Sequence, residues 1–106
     1  MKQYNLSNML RGWFIGNFEP SILKTSFIEV GVVSHKKDEE WPAHFHSSSI
    51  EINLVLDGSL TINNKLFEKN DFFILERNEV SKPKFLENCR ILVIRVPDIQ
   101  NDKVIV

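Results

Sequence analysis

An all-β barrel or sandwich is the fold class that the sequence predicts, on three observations. Short runs of β-branched and aromatic residues recur along the chain, turn signals part them about every eight to twelve residues, and no stretch shows the apolar spacing of a three-turn helix. With 106 residues the chain makes one domain, 1–106, its barrel core at about 26–97 and its terminal segments packing on that core or on a partner subunit.

The elements follow in order. Asn5 to Leu10 suits one helical turn or a strap across a sheet, and Trp13 to Phe18 gives an aromatic strand with Gly16-Asn17 as a bulge or bend. Ser26 to Ser34 (SFIEVGVVS) is rich in β-branched residues and predicts a strand, and His35 to Glu40 is a charged, solvated connection. Pro42, which lacks a donor, suits a strand start or edge. From Glu51 to Leu56, alternation puts Glu51, Asn53 and Val55 on one face and Ile52, Leu54 and Leu56 on the other. Gly58 turns the chain into a strand over Ser59 to Ile62, and Asn63-Asn64 is a tight hairpin signal because Asn accepts positive φ. Phe72 to Leu75 predicts a short buried strand, Lys82 to Leu86 a weak one limited by Pro83, and Arg90 to Val96 a strong one. The tail begins at Pro97 and finishes on apolar Val104-Ile105-Val106.

Composition excludes several partners. Thirteen Lys and Arg against fourteen Asp and Glu leave a net charge of −1, without the basic face that nucleic acid or a membrane surface would favour. Neither a signal peptide nor a bilayer-spanning segment is evident, and a lone Cys89 permits no internal disulfide, so the expected location is cytoplasmic.

The chemistry concentrates at HFHSSSIEINLVLDG, residues 44–58. His44 and His46 are two apart and so share a strand face, and Ser47-Ser48-Ser49 supplies the turn that Glu51 needs to join them. Two imidazoles and a carboxylate suit iron, manganese, nickel, zinc or copper. A carboxylate among aliphatic neighbours is costly unless it is paired or ligating.

This stretch resembles the first motif of the cupin superfamily, G-x5-H-x-H-x3,4-E-x6-G, with His44, His46, Glu51 and Gly58 in register and Asp38 at the leading Gly. The second motif, G-x5-P-x-G-x2-H-x3-N, aligns with Asn70, Glu76, Asn78, Ser81 and Phe85 at its signature positions, every one changed. Asn replaces Gly mildly, because it tolerates left-handed backbone. Ser81 stands where the family's usual fourth ligand would be. The resemblance implies a double-stranded β-helix, or jelly roll, holding one divalent metal on His44, His46 and Glu51 with coordination sites open, the arrangement of non-haem iron oxygenases and Lewis-acid isomerases. It implies a metal-dependent dioxygenase, isomerase, epimerase or decarboxylase acting on a small polar molecule. The GWFIGNF opening and PDIQNDK stretch look like small stand-alone bacterial cupins linked to surface-sugar metabolism, which adds a sugar or sugar nucleotide to the substrates. The alternative is a non-catalytic cupin serving as sensor or accessory module.

Other residues are weaker candidates. Asn53, on the Glu51 face, suits a substrate hydrogen bond, and Glu79, with Glu76 behind it, is the available general base or replacement ligand. His35 is expected as a loop histidine and Cys89 as a small buried residue. Trp41 and Phe45 flank the histidines and suit a pocket mouth. The outward set Ile52, Leu54 and Leu56 needs covering, by the N-terminal aromatic strand or by a second subunit in a symmetric homodimer.

Overall fold

A computed structural model describes residues 1–97 and 102–106. It opens with a 3-10 turn, Leu6–Asn8, capped by the Asn5 side chain, which accepts from the Ser7 amide at 2.9 Å. Eleven strands follow: β1 (Trp13–Gly16), β2 (Leu23–Lys24), β3 (Glu29–His35), β4 (His44–His46), β5 (Ile50–Asp57), β6 (Leu60–Ile62), β7 (Lys65–Phe67), β8 (Phe72–Leu75), β9 (Pro83–Phe85), β10 (Cys89–Val96) and β11 (Lys103–Ile105). One layer is a six-stranded sheet in the order β2-β1-β3-β10-β5-β8. The other comprises the pair β11-β4 and the triplet β7-β6-β9, joined by bridges between His44 and Ser81 and between Glu40 and Lys84. Val55 of β5, Leu60 and Ile62 of β6, Phe73 of β8, Phe85 of β9 and Cys89, Ile91 and Val93 of β10 form the core between the layers. Each fully buried aliphatic side chain there contributes about 1.5–3 kcal/mol.

Alternation along β5 falls as the sequence predicts. Asn53 and Val55 are buried, whereas Ile52, Leu54 and Leu56 are half-buried on the outer side. The hairpin at Asn63 and Asn64 has both residues at positive φ, 52° and 68°, the backbone that a two-residue turn requires.

The expected first-sheet strand starts later than Ser26. Thr25 Oγ1 accepts the Phe27 amide at 3.1 Å, and that local bond turns the backbone away from pairing until Glu29. The same strand runs on to His35, which is therefore no loop residue: its ring stacks on Phe85 at 4.1 Å. β8 is buried on one face only, because it closes the sheet edge beside β5, and Phe72 and Ile74 are 66% and 55% exposed. The N-terminal aromatic strand joins the sheet at the edge of β3. It extends the layer and does not lie over Ile52, Leu54 and Leu56.

The turns keep the backbone geometry of the motif glycines that the sequence replaces. Asp38, Asn70 and Asn78, the three residues aligned with motif glycines, have φ of 64°, 74° and 64°. Gly58 has φ of 86°, and a Cβ there would run into the Asn88 carbonyl oxygen. The left-handed turns persist on short polar side chains. Among the described residues no helix is long and apolar enough to cross a membrane.

Candidate functional site

A cavity of about 960 Å³ opens between the layers, with His44, His46, Glu51, Asn53 and Ser81 in its wall. β4 places the two histidines two residues apart on one face, and the Ser47–Ser49 turn brings β5 back so that Glu51 joins them. The imidazole centroids lie 5.6 Å apart, nearly perpendicular, and His46 Nε2 is 3.6 Å from Glu51 Oε2.

Both rings are held through Nδ1. His44 Nδ1 lies 3.0 Å from the Pro42 carbonyl oxygen, and His46 Nδ1 lies 2.8 Å from Asp102 Oδ1. A carbonyl oxygen and an ionised carboxylate only accept, so each neutral ring carries its hydrogen on Nδ1 and leaves the Nε2 lone pair unprotonated. Burial first, then the nearby Lys103 charge, push the His44 pKa below its ordinary value and favour that neutral ring, against the opposing pull of the Pro42 carbonyl and Glu51.

Asp102 is the most heavily engaged side chain of the site, and the sequence did not announce it. Its Oδ2 accepts from the Ser49 hydroxyl at 2.7 Å, the Ser49 amide at 3.0 Å and the Ser48 amide at 3.3 Å, while Oδ1 takes His46. Burial alone would raise its pKa, but the bonds from His46 and Ser49 hold the carboxyl below the usual range. The strand that follows it, β11, pairs antiparallel with β4, Lys103 opposite His46 and Ile105 opposite His44. One carboxylate thus fixes the serine turn, the His46 ring and the start of β11 together.

Glu51 has a second partner. Arg95 Nε donates to Glu51 Oε2 at 3.0 Å, its Nη1 lies 3.6 Å from Glu29 Oε1, and its guanidinium sits 5.0 Å from the Trp13 ring. Among the described residues, no group of three or more His, Cys, Asp or Glu side chains is drawn together as a metal cluster. The donor chemistry of the histidines nonetheless fits a cation: two imidazole lone pairs with both outer nitrogens tied to oxygen acceptors. Glu51 is within 3.6 Å of one of them but is shared with Arg95.

Asn53 is buried in the cavity wall, its amide 3.5 Å from the Glu51 carbonyl oxygen. Ser81 is 2% exposed and exchanges two backbone hydrogen bonds with His44, at 3.0 and 2.8 Å, which puts it next to the histidine as the motif alignment expects. Glu79 departs from expectation. It is exposed, is not in the cavity wall, and spends its carboxylate on the Glu76 amide at 3.0 Å, because the turn through Asn78 closes on itself. Glu76 is likewise exposed and outside the wall.

At the mouth, Trp41 Nε1 and His35 Nδ1 both reach Glu39 Oε2 at 2.6 Å. Burial raises the Glu39 pKa, but the bonds from His35 and Trp41 outweigh it and leave the carboxyl below its ordinary value. Lys103 Nζ caps the Trp41 ring at 4.3 Å, and burial, then the Arg95 charge, lower its pKa against the opposing pull of Glu51. Arg95 could have been found by alternation, since Ile91, Val93 and Arg95 share a face of β10. For Asp102 and Lys103 the sequence carries no signal, as their pairing with β4 spans more than fifty residues.

No protein-family model matches the chain, and no curated protein matches it by sequence. Solved structures do match. One is an uncharacterized conserved protein with a double-stranded beta-helix domain from Klebsiella pneumoniae, at TM-score 0.69 and 16% identity over 79% of this chain and 74% of that one. Another is a cupin-2 domain containing protein from Shewanella frigidimarina, at TM-score 0.58 and 18% identity over 71% and 76%. A third is the bacterial pirin YhhW of Escherichia coli, solved in complex with nickel(II), at TM-score 0.68 and 16% identity over 83% of this chain and 39% of that one. The shared feature is the fold, the cupin double-stranded β-helix.

Proposed function

We propose that this cupin-fold chain holds one divalent transition metal on His44 and His46, with Glu51 as third protein ligand, and acts there on a small polar molecule. One observation carries the reading: both imidazoles, in the cavity wall, have Nδ1 committed to an oxygen acceptor, at 3.0 and 2.8 Å, and so keep the Nε2 lone pair for a metal, that of His46 3.6 Å from Glu51. The pirin solved with nickel(II) gives the fold a metal-binding precedent. When bound, such an ion supplies Lewis acidity or, if iron, oxygen activation, which suits an oxygenase or an isomerase or epimerase, sugars and sugar nucleotides included.

The chain's own residues divide the remaining work. Asp102 and the Pro42 carbonyl fix the ring orientations, and Arg95 holds the Glu51 carboxylate until a cation competes for it. Asn53 offers an amide to a substrate hydroxyl or carbonyl. Ser81, short and neutral, leaves a coordination position to water or substrate.

A second reading, a cupin that binds a metabolite or metal without turning anything over, is favoured by the engagement of the cavity carboxylates. Glu29 and Glu51 pair with Arg95, and Glu39 with His35 and Trp41. We also propose a cytoplasmic homodimer in which a second copy covers the outer stripe, where Ile74 lies opposite Ile52 and Phe72 opposite Leu54.

Elemental analysis of protein purified without added metal tests the central claim. About one first-row transition metal per chain is expected, lost in the His44→Ala/His46→Ala double variant. Stoichiometric zinc argues against oxygenase chemistry, and failure to take up iron, manganese, nickel or zinc on reconstitution rejects the metal reading.

A further inference from the structure

We infer that Lys103 is a specificity-determining residue that selects small molecules bearing a carboxylate, by pairing its ammonium with that group at the cavity mouth. The inference rests on the proposal that this cavity binds a small molecule, and adds the class of molecule.

The placement comes first. Lys103 is directly opposite His46 in the β11-β4 ladder, so its side chain leaves the strand on the same face as the imidazole. From there it crosses toward Trp41, reaching 4.3 Å from that ring, and the Trp41 centroid is 6.4 Å from the His44 centroid. The Lys103 side chain therefore starts opposite His46 and ends on Trp41, the neighbour of His44, in the wall of the cavity.

Its donors are the second point. The other basic group close to the histidines, Arg95, is consumed by Glu51 and Glu29. Among the described residues no carboxylate stands in ion-pair contact with Lys103, whose one charge-complementary contact is the Trp41 π face. A π face attracts the cation but accepts no conventional hydrogen bond, so the three N–H groups remain available to an oxygen anion. Trp41 is itself fixed by its bond to Glu39, so the ring facing the ammonium is held in place.

The test is binding of acetate, succinate and benzoate against acetamide, succinamide and benzamide, by isothermal titration calorimetry on the full chain, both metal-free and after nickel loading. At least one acid should bind in preference to its amide. Lys103→Met, which keeps an unbranched side chain but removes the ammonium, should weaken that acid by about ten- to a hundredfold. Lys103→Arg should restore most of the affinity, and nickel content should be the same in all three proteins. No acid preferred over its amide, or Lys103→Met binding the acid as the wild type does, overturns the inference. If the wild type takes up no nickel, the metal reading fails, yet the acid preference and its dependence on Lys103 are still decided on the metal-free chain.

Discussion

Replacing Asp102 by Asn separates two roles that one carboxylate now plays. In the native chain Oδ1 serves His46 Nδ1 and Oδ2 serves the Ser49 amide, the Ser49 hydroxyl and the Ser48 amide, all in a residue only 7% exposed. An Asn side chain has one oxygen for these two directions. With the oxygen toward His46, the NH2 group meets the Ser48 and Ser49 amides, and one part-buried and one buried donor lose their acceptor. Each such loss costs about 1–3 kcal/mol. A few kcal/mol is a large share of the roughly 5–15 kcal/mol that holds a small domain together, and it should lower Tm by roughly 10 °C or more. With the amide flipped, the serine turn is kept, but NH2 points at His46 Nδ1 and forces that ring to carry its hydrogen on Nε2. Metal affinity then falls, by about 10–100-fold on the usual effect of losing a ligand's outer partner. Either orientation therefore shows, one in thermal unfolding followed by circular dichroism, the other in chelator competition. An Asp102→Asn protein that keeps both Tm and metal affinity would refute the account of how His46 is held.

Three other outcomes follow from the geometry. Ser81→His should add a protein ligand beside His44, tighten metal binding and reduce any activity that uses the open position, whereas Ser81→Ala should leave metal content nearly unchanged; if Ser81→Ala loses metal as fully as His44→Ala does, Ser81 is itself a ligand. Because the Glu39 pKa is held below its unfolded value of 4.5, its contribution to stability is complete above that value and is lost as pH falls through the lower folded value, so Glu39→Gln should flatten the acid limb of a urea-midpoint titration against pH, and an unchanged acid limb would count against the His35–Glu39–Trp41 cluster. Replacing both Phe72 and Ile74 by Glu should shift light scattering from dimer to monomer with the core intact, and a wild type already monomeric at high micromolar concentration defeats the proposed dimer.

Period-two alternation gave away the inward set Glu51, Asn53 and Val55 because one face of β5 is buried and the other is not, and that contrast is written directly in residue type. The histidine pair was legible for the same reason. The strand start at Glu29 was not, since a single hydroxyl on Thr25 outweighs a run of β-branched neighbours. Glu79 looked like a base from its proximity in sequence to Ser81, but a tight turn directs adjacent side chains to different places, and this one bonds its own loop. Asp102 and Lys103 lay beyond any local pattern, because the choice of β4 as partner for β11 depends on a register between distant segments.

That long reach sets an order on how the site is made. His46 and Asp102 are 56 positions apart, so at a translation rate of roughly 5–20 residues per second the imidazole waits several seconds before its carboxylate has been synthesised. During that interval either ring nitrogen can carry the hydrogen, and the Ser47–Ser49 turn has nothing to close on. On the proposed metal reading, a nascent chain is consequently a poor competitor for scarce cations, and loading would belong after synthesis has passed Asp102. The six-stranded sheet waits in the same way for β10, which lies between β3 and β5, so the barrel and its histidine pair reach their final arrangement only once synthesis has passed Asp102.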